Sequence, residues 1–260
     1  MNTLKLSFGR LWLLMRHDLV TQRKSLTSTA LAIAGISFGL FLIASATGGG
    51  ELLHVQLYRN ILLVGGFIAS SVAFSELLDG KTATHYMMLP GSTLEKYLAK
   101  LLLTSLGWVA ASIVVYMAAT TLGTLVAGLF FAENPGVFLP VGRDVWNAVA
   151  VYLVTQQIFL FGSIYFRKVA FFKTVAGIVG VAIALGIVYL IVARVLFAPL
   201  FIGLFETGDV EAYLEQSGFD QTAAQSFINT LGRVGDVFYW VVSPIFFWIM
   251  GVLRLRETEA

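Results

Sequence analysis

The sequence predicts an all-α, polytopic membrane protein, and three observations carry that expectation. Of its 260 residues, 58% are hydrophobic and only 12% charged, against the roughly 25% charge of an ordinary globular chain. The apolar residues gather into six runs near or above the ~20 residues a helix needs to cross a bilayer. The few charges fall between those runs, mostly on one side. Such a composition argues against a soluble enzyme. The absence of cysteine excludes disulfides, thiolate metal sites and a cysteine nucleophile. Residues 1–260 read as one membrane domain, with an interfacial helix over 1–25 and a six-span core over 26–254.

Taken in order, residues 3–24 come first. Leu4, Phe8, Leu11, Trp12, Met15 and Leu19 recur at helical spacing, while Lys5, Arg10, Arg16, His17, Arg23 and Lys24 fill much of the remainder. That pattern predicts an amphipathic helix lying along the membrane, its basic face near anionic lipid headgroups. A signal peptide fits less well, since no apolar core directly follows the first basic residue and no small-residue cleavage site precedes Arg23. Spans are expected over 27–47, 58–76, 101–131, 145–166, 171–197 and 237–253. Gly48-Gly49-Gly50 and Asn134-Pro135-Gly136 supply turns. The third run exceeds what a bilayer requires, so it must tilt, kink or emerge.

With the N-terminus inside, Arg59, Arg143, Arg194 and Arg233 alone fall outside, and every other lysine and arginine falls inside. The positive-inside rule then places both termini and the 77–100 segment in the cytoplasm. The outer loop 198–236 is acidic, with Glu206, Asp209, Glu211, Glu215, Asp220 and Asp236 against Arg233. Asp209 is placed to cap a short helix through Glu215, and Asp220 another through Leu231, closed by Gly232.

The most informative stretch is 77–100. Asp79-Gly80 is expected to close the second span, since Gly accepts the left-handed turn that ends helices. Lys81, His85, Tyr86, Met87, Met88 and Leu89 follow, and Pro90-Gly91 breaks the segment. Ser92-Thr93-Leu94-Glu95 reads as a capping box that starts a new helix carrying Lys96 and Lys100. Tyr86, Met87, Met88 and Leu89 are apolar and adaptable, and such a patch needs a surface to bury itself against.

Met88-Leu89-Pro90-Gly91-Ser92 followed by Glu95-Lys96, between a second and a third span, resembles the permease subunits of type-2 ABC exporters. The basic N-terminal helix and the six-span count extend that resemblance over most of the chain. The resemblance implies that 77–100 is a coupling helix seated in a cleft of a separate ATPase, with Lys81, His85, Tyr86, Met87, Met88, Leu89, Pro90, Glu95 and Lys96 in contact. It implies ATP and Mg on that partner and none on this chain, a second copy or a related permease, and short external helices before the last span. The expected location is a bacterial inner membrane; membrane lipids are expected partners and nucleic acid is not. An interior without charge suggests amphiphilic or lipid-like cargo. A scaffold without transport activity and a secondary carrier are the alternatives.

Two motifs mislead. Asp79-Gly80-Lys81-Thr82 ends like a phosphate-binding loop, but Ser75 stands where that motif requires glycine and a span precedes it. Gly35-Ile36-Ser37-Phe38-Gly39 matches a nucleophile elbow inside a span, with no histidine base in the apolar runs. Its small residues, like Ala119, Gly123 and Ala127 or Gly177, Gly180 and Ala184, predict close helix packing instead. Thr155, Gln156 and Gln157 form the most polar cluster within a span, suited to hydrogen bonding between helices.

Overall fold

A computed structural model of the chain describes residues 7–46, 51–78, 80–130, 137–166, 168–196 and 221–259. They are helical nearly throughout and contain no strand. Among the described residues, six helices are long and apolar enough to cross a membrane. The chain is an all-α integral membrane protein.

Helix α1 (Phe8–Thr21) is separated from α2 (Arg23–Ala46) only by a turn at Gln22. Helix α3 (Glu51–Asn60) passes through a wide π turn at Ile61–Gly65 into α4 (Gly66–Ser71). A 3-10 turn at Ser75–Leu78 leads to α5 (Gly80–Met87). Helix α6 (Thr93–Leu102) continues through a second π turn, Leu103–Gly107, into α7 (Trp108–Phe130), making one rod of 38 residues. Helices α8 (Arg143–Tyr165) and α9 (Ala170–Leu196) follow. Helix α10 (Gln221–Val237) joins α11 (Ser243–Glu259) through a third π turn, Phe238–Val242.

Several expectations are corrected here. The α-helical part of the second span ends at Ser71, the 3-10 turn at Ser75–Leu78 completes its end, and Gly80 opens α5 instead of closing the helix before it. The surplus length of the third run belongs to a helix that starts earlier, at Thr93, where the capping box provides a start and nothing downstream provides a stop. Gly232 ends no helix: the backbone runs on through it and through Gly235. Glycine inside a helix costs about 1 kcal/mol relative to alanine, a cost that an apolar rod tolerates. The anticipated helix over 209–215 and the turns at 48–50 and 134–136 lie outside the described residues.

The chain divides into two compact units, Met1–Phe171 with Pro244–Ala260, and Phe172–Ser243. Within the first, α2 packs along α7, α4 along α8 and α1 along α6. Of the three small-residue stripes, the one on α7 is closed: Ala119 and Ala127 are buried, and a Cβ on Gly123 would reach the Phe41 ring at 2.5 Å. Gly35 and Gly39 of α2, and in the second unit Gly177 and Gly180 of α9, have nothing within 4 Å of that position.

Two apolar cores fill the first unit. One gathers Tyr58, Leu62, Val109, Tyr116, Val145 and Tyr152 with their neighbours. The other gathers Phe74, Tyr86, Tyr97, Leu101, Leu160 and Leu255, at the end of the spans that carries the 77–100 segment. Gly251 of α11 makes room there for the Tyr97 ring, which an added Cβ would meet at 2.7 Å. In lipid such contacts replace the hydrophobic drive between helices.

Candidate functional site at the 77–100 segment

The site begins at Ser92. Its extended backbone makes it the N-cap of α6, and its Oγ accepts the Glu95 N–H at 3.2 Å. Glu95 Oε2 accepts the Ser92 N–H in return at 2.9 Å, completing the capping box. The other carboxylate oxygen reaches out of the helix. Glu95 Oε1 accepts the Ser7 N–H at 2.8 Å and the Arg10 guanidinium through Nη2 at 3.0 Å and Nε at 3.2 Å. One carboxylate, 0% exposed, therefore serves the first turns of both α6 and α1. Negative charge is favoured at each of those helix N-termini.

One turn further on, Lys100 is 2% exposed and donates to two carboxylates. Its Nζ lies 3.0 Å from Asp18 Oδ1 of α1 and 3.1 Å from Glu76 Oε2 at the end of the second span. Lys96, also buried, donates to the Met87 carbonyl at 3.1 Å and so ties the tip of α5 to α6. Both ammonium groups lie over the Tyr86 ring, at 5.4 and 5.5 Å from its centroid, a favourable placement for a desolvated cation. Thr82 Oγ1 donates to the Glu76 carbonyl at 2.7 Å and fixes the entry to α5. The N-terminal helix, the end of span two, α5 and the start of span three thus form one ionic knot.

The expected contact residues fall into two groups. Glu95, Lys96 and Tyr86 are buried, and the bonds above occupy them from within. His85, Met87, Met88 and Pro90 are exposed, Met88 at 78%, and Leu89 is half-buried. The backbone of Lys81 lies in the first turn of α5. Beside this tip opens a cavity of about 310 Å³ lined by His17, Thr21, Glu76, Thr82, His85 and their neighbours. Among the described residues, no three His, Cys, Asp or Glu side chains converge as metal ligands would.

Arg10, Asp18, Glu76 and Lys100 were not among the residues expected to matter. A signal for Asp18 is visible in the chain: it is the one acid in a basic stretch, spaced i, i+4 and i+8 with Leu14 and Arg10. The structure docks that face of α1, burying Leu14 and Asp18, and leaves Phe8, Trp12 and Leu13 of the apolar stripe and its flank exposed.

Burial pushes the Asp18 carboxyl above its ordinary value, against the pull of the Lys100 ammonium. The folded protein therefore takes up a proton at Asp18 at a higher pH than the unfolded chain does. Its contribution to stability is greatest below the unfolded value of 3.8 and declines as pH rises through the folded one. Asp18→Asn, which keeps the shape and removes the titration, is expected to flatten that decline. Paired melting curves of wild type and variant, taken from pH 4 upward, measure it; parallel curves would contradict the assignment.

The fold and the site together define the class: an all-α membrane protein whose 77–100 connection between spans is held by buried charge. The chain matches no protein-family model, no curated protein and no solved structure.

Proposed function

We propose that this chain is the membrane-spanning permease subunit of an ATP-driven exporter of the type-2 ABC kind. A separate ATPase would supply the force through the 77–100 segment. One contrast carries the reading: an apolar tip is left in solvent on a base held rigid by buried ion pairs. His85, Met87, Met88 and Pro90 are the exposed part of that tip, while Lys96 and Lys100 anchor its base. A solvated loop gains nothing from such an anchor, whereas a lever needs both parts. The neighbouring cavity offers a seat for an apolar anchor of the partner, as binding hot spots require. The segregated positive charge supports placing this end in the cytoplasm. ATP and Mg would sit on the partner, and a second permease copy or a relative would complete the pathway. Lipid-like or amphiphilic cargo fits spans without mid-depth charge.

Purification in mild detergent from the native membrane is expected to retain an ABC ATPase. Met87→Asp with Met88→Asp is expected to lower the retained ATPase about tenfold, the effect of some 1.4 kcal/mol lost at a contact, without changing the melting temperature. An ATPase absent from the wild-type preparation, or equally retained by the variant, would refute the reading.

A further inference from the structure

We propose that the first unit contains a joint. The ends of spans two and three nearest the 77–100 segment pivot as one piece beside an unbroken α8, at the two π turns Ile61–Gly65 and Leu103–Gly107. The inference goes beyond the role proposed above and does not rest on it, since it concerns motion within this chain whether or not an ATPase drives it.

The two turns are neighbours and are locked by each other's surroundings. Trp108, at the end of the second turn, donates its indole N–H to the Leu62 carbonyl in the first at 3.1 Å. Tyr152 of α8 donates its hydroxyl to the Thr104 carbonyl in the second turn. Gly65 and Gly66 clear the space for both rings: a Cβ on Gly66 would overlap Tyr152 and come within 2.7 Å of Trp108 Nε1. A π turn holds one residue more than an α turn, and such turns recur at functional positions. It can close or shift while the helix on either side keeps its hydrogen bonds.

The packing changes character at the same level. The two apolar cores do not merge; in span three Leu101 belongs to one and Val109 to the other, on either side of the π turn. Between them lies a buried layer of Ser70, Ser71, Thr104, Ser105, Gln156 and Gln157. The Thr104 and Ser105 hydroxyls donate back to the Lys100 and Leu101 carbonyls, a pattern that loosens and bends helices. Ser70 Oγ donates to Gln156 Oε1 at 3.2 Å. Gln156 Nε2, Gln157 Oε1 and Ser71 Oγ have no partner in this arrangement. Unmet polar groups inside a protein are costly, and in lipid no water relieves them. A second register of the two spans that pairs these groups lowers the cost of leaving the first, which is what a two-position joint requires.

The chain lacks cysteine, so spin labels can be placed at will, and double electron–electron resonance in lipid nanodiscs tests the joint. The pair Met88→Cys and Trp146→Cys spans the polar layer; Val114→Cys and Trp146→Cys lie on one side of it. Trp108→Phe with Tyr152→Phe removes both locking donors and leaves an aromatic ring at each position. In that variant the spanning pair is expected to shift or broaden by about 2 Å or more, the scale of helix shifts in switching proteins, with the control pair unchanged. Deleting the exposed Leu106 heals the second turn to α and is expected to narrow the spanning pair to the width of the control. A spanning distance unmoved by the double variant, or both pairs loosening alike, overturns the joint; if the deletion variant does not fold, the double variant decides.

Discussion

Lys100→Met is expected to be the most damaging single substitution at the 77–100 end of the protein. Methionine fills nearly the same volume, so packing around Tyr86 and Tyr97 survives while the positive charge goes. Asp18 and Glu76 then face each other without the ammonium that now lies 3.0 and 3.1 Å from them. Removing one partner of a buried ionic group typically costs about 3–5 kcal/mol. Adding Asp18→Asn to Lys100→Met returns the cluster to its original net charge and should recover a good part of that loss. Acidification should help the single variant, because Asp18 accepts a proton readily when buried. Denaturant or thermal unfolding of the three proteins in one detergent checks the set. A single variant as stable as wild type would show that the cluster is not the fastening described.

Glu95→Ala is the second large effect. It leaves the Ser92 and Ser7 N–H groups and the Arg10 guanidinium without the carboxylate that now accepts from all three. A lost cap and a lost charge-assisted bond together amount to about 3 kcal/mol. The loss should be local: α1 comes away while the spans stay folded. Trypsin should then cut after Arg10 or Arg16 in the variant at enzyme levels that spare the wild type, with little change in helical circular dichroism. Glu95→Gln, which keeps an acceptor for the backbone but not the charge, should fall between the two. Equal protease resistance in all three proteins would remove Glu95 from its place at the centre of the knot.

Much of the fold could be read from the chain because membrane spans obey a crude rule. Long apolar runs must be helices in lipid, where every backbone polar group needs an internal partner. The capping box at Ser92 was legible for a similar reason, since Ser and Glu three apart make a local motif that needs no tertiary context. Gly232 shows where local rules fail: a glycine stops a helix only if the chain turns there, and nothing nearby turns it. The π turns were illegible, because no composition marks them; they follow from how Trp108 and Tyr152 pack on Gly65 and Gly66. The sequence presents Glu95 as half of a capping box and a contact for a partner, and Lys100 as a charge carried on the new helix. Only the docking of α1, some 85 residues away in sequence, shows that their partners are inside.

That separation also sets an order of events during synthesis. The Ser7 N–H and Glu95 are 88 positions apart, so α1 has no acceptor until residues 92–95 have been made. At a translation rate of about 5–20 residues per second, the wait is on the order of 4–18 s. The nascent N-terminal segment must spend that time elsewhere, and its exposed Phe8, Trp12 and Leu13 suit the lipid surface. Docking of α1 is therefore a late step of biogenesis, taken after the second span is threaded and the third has begun.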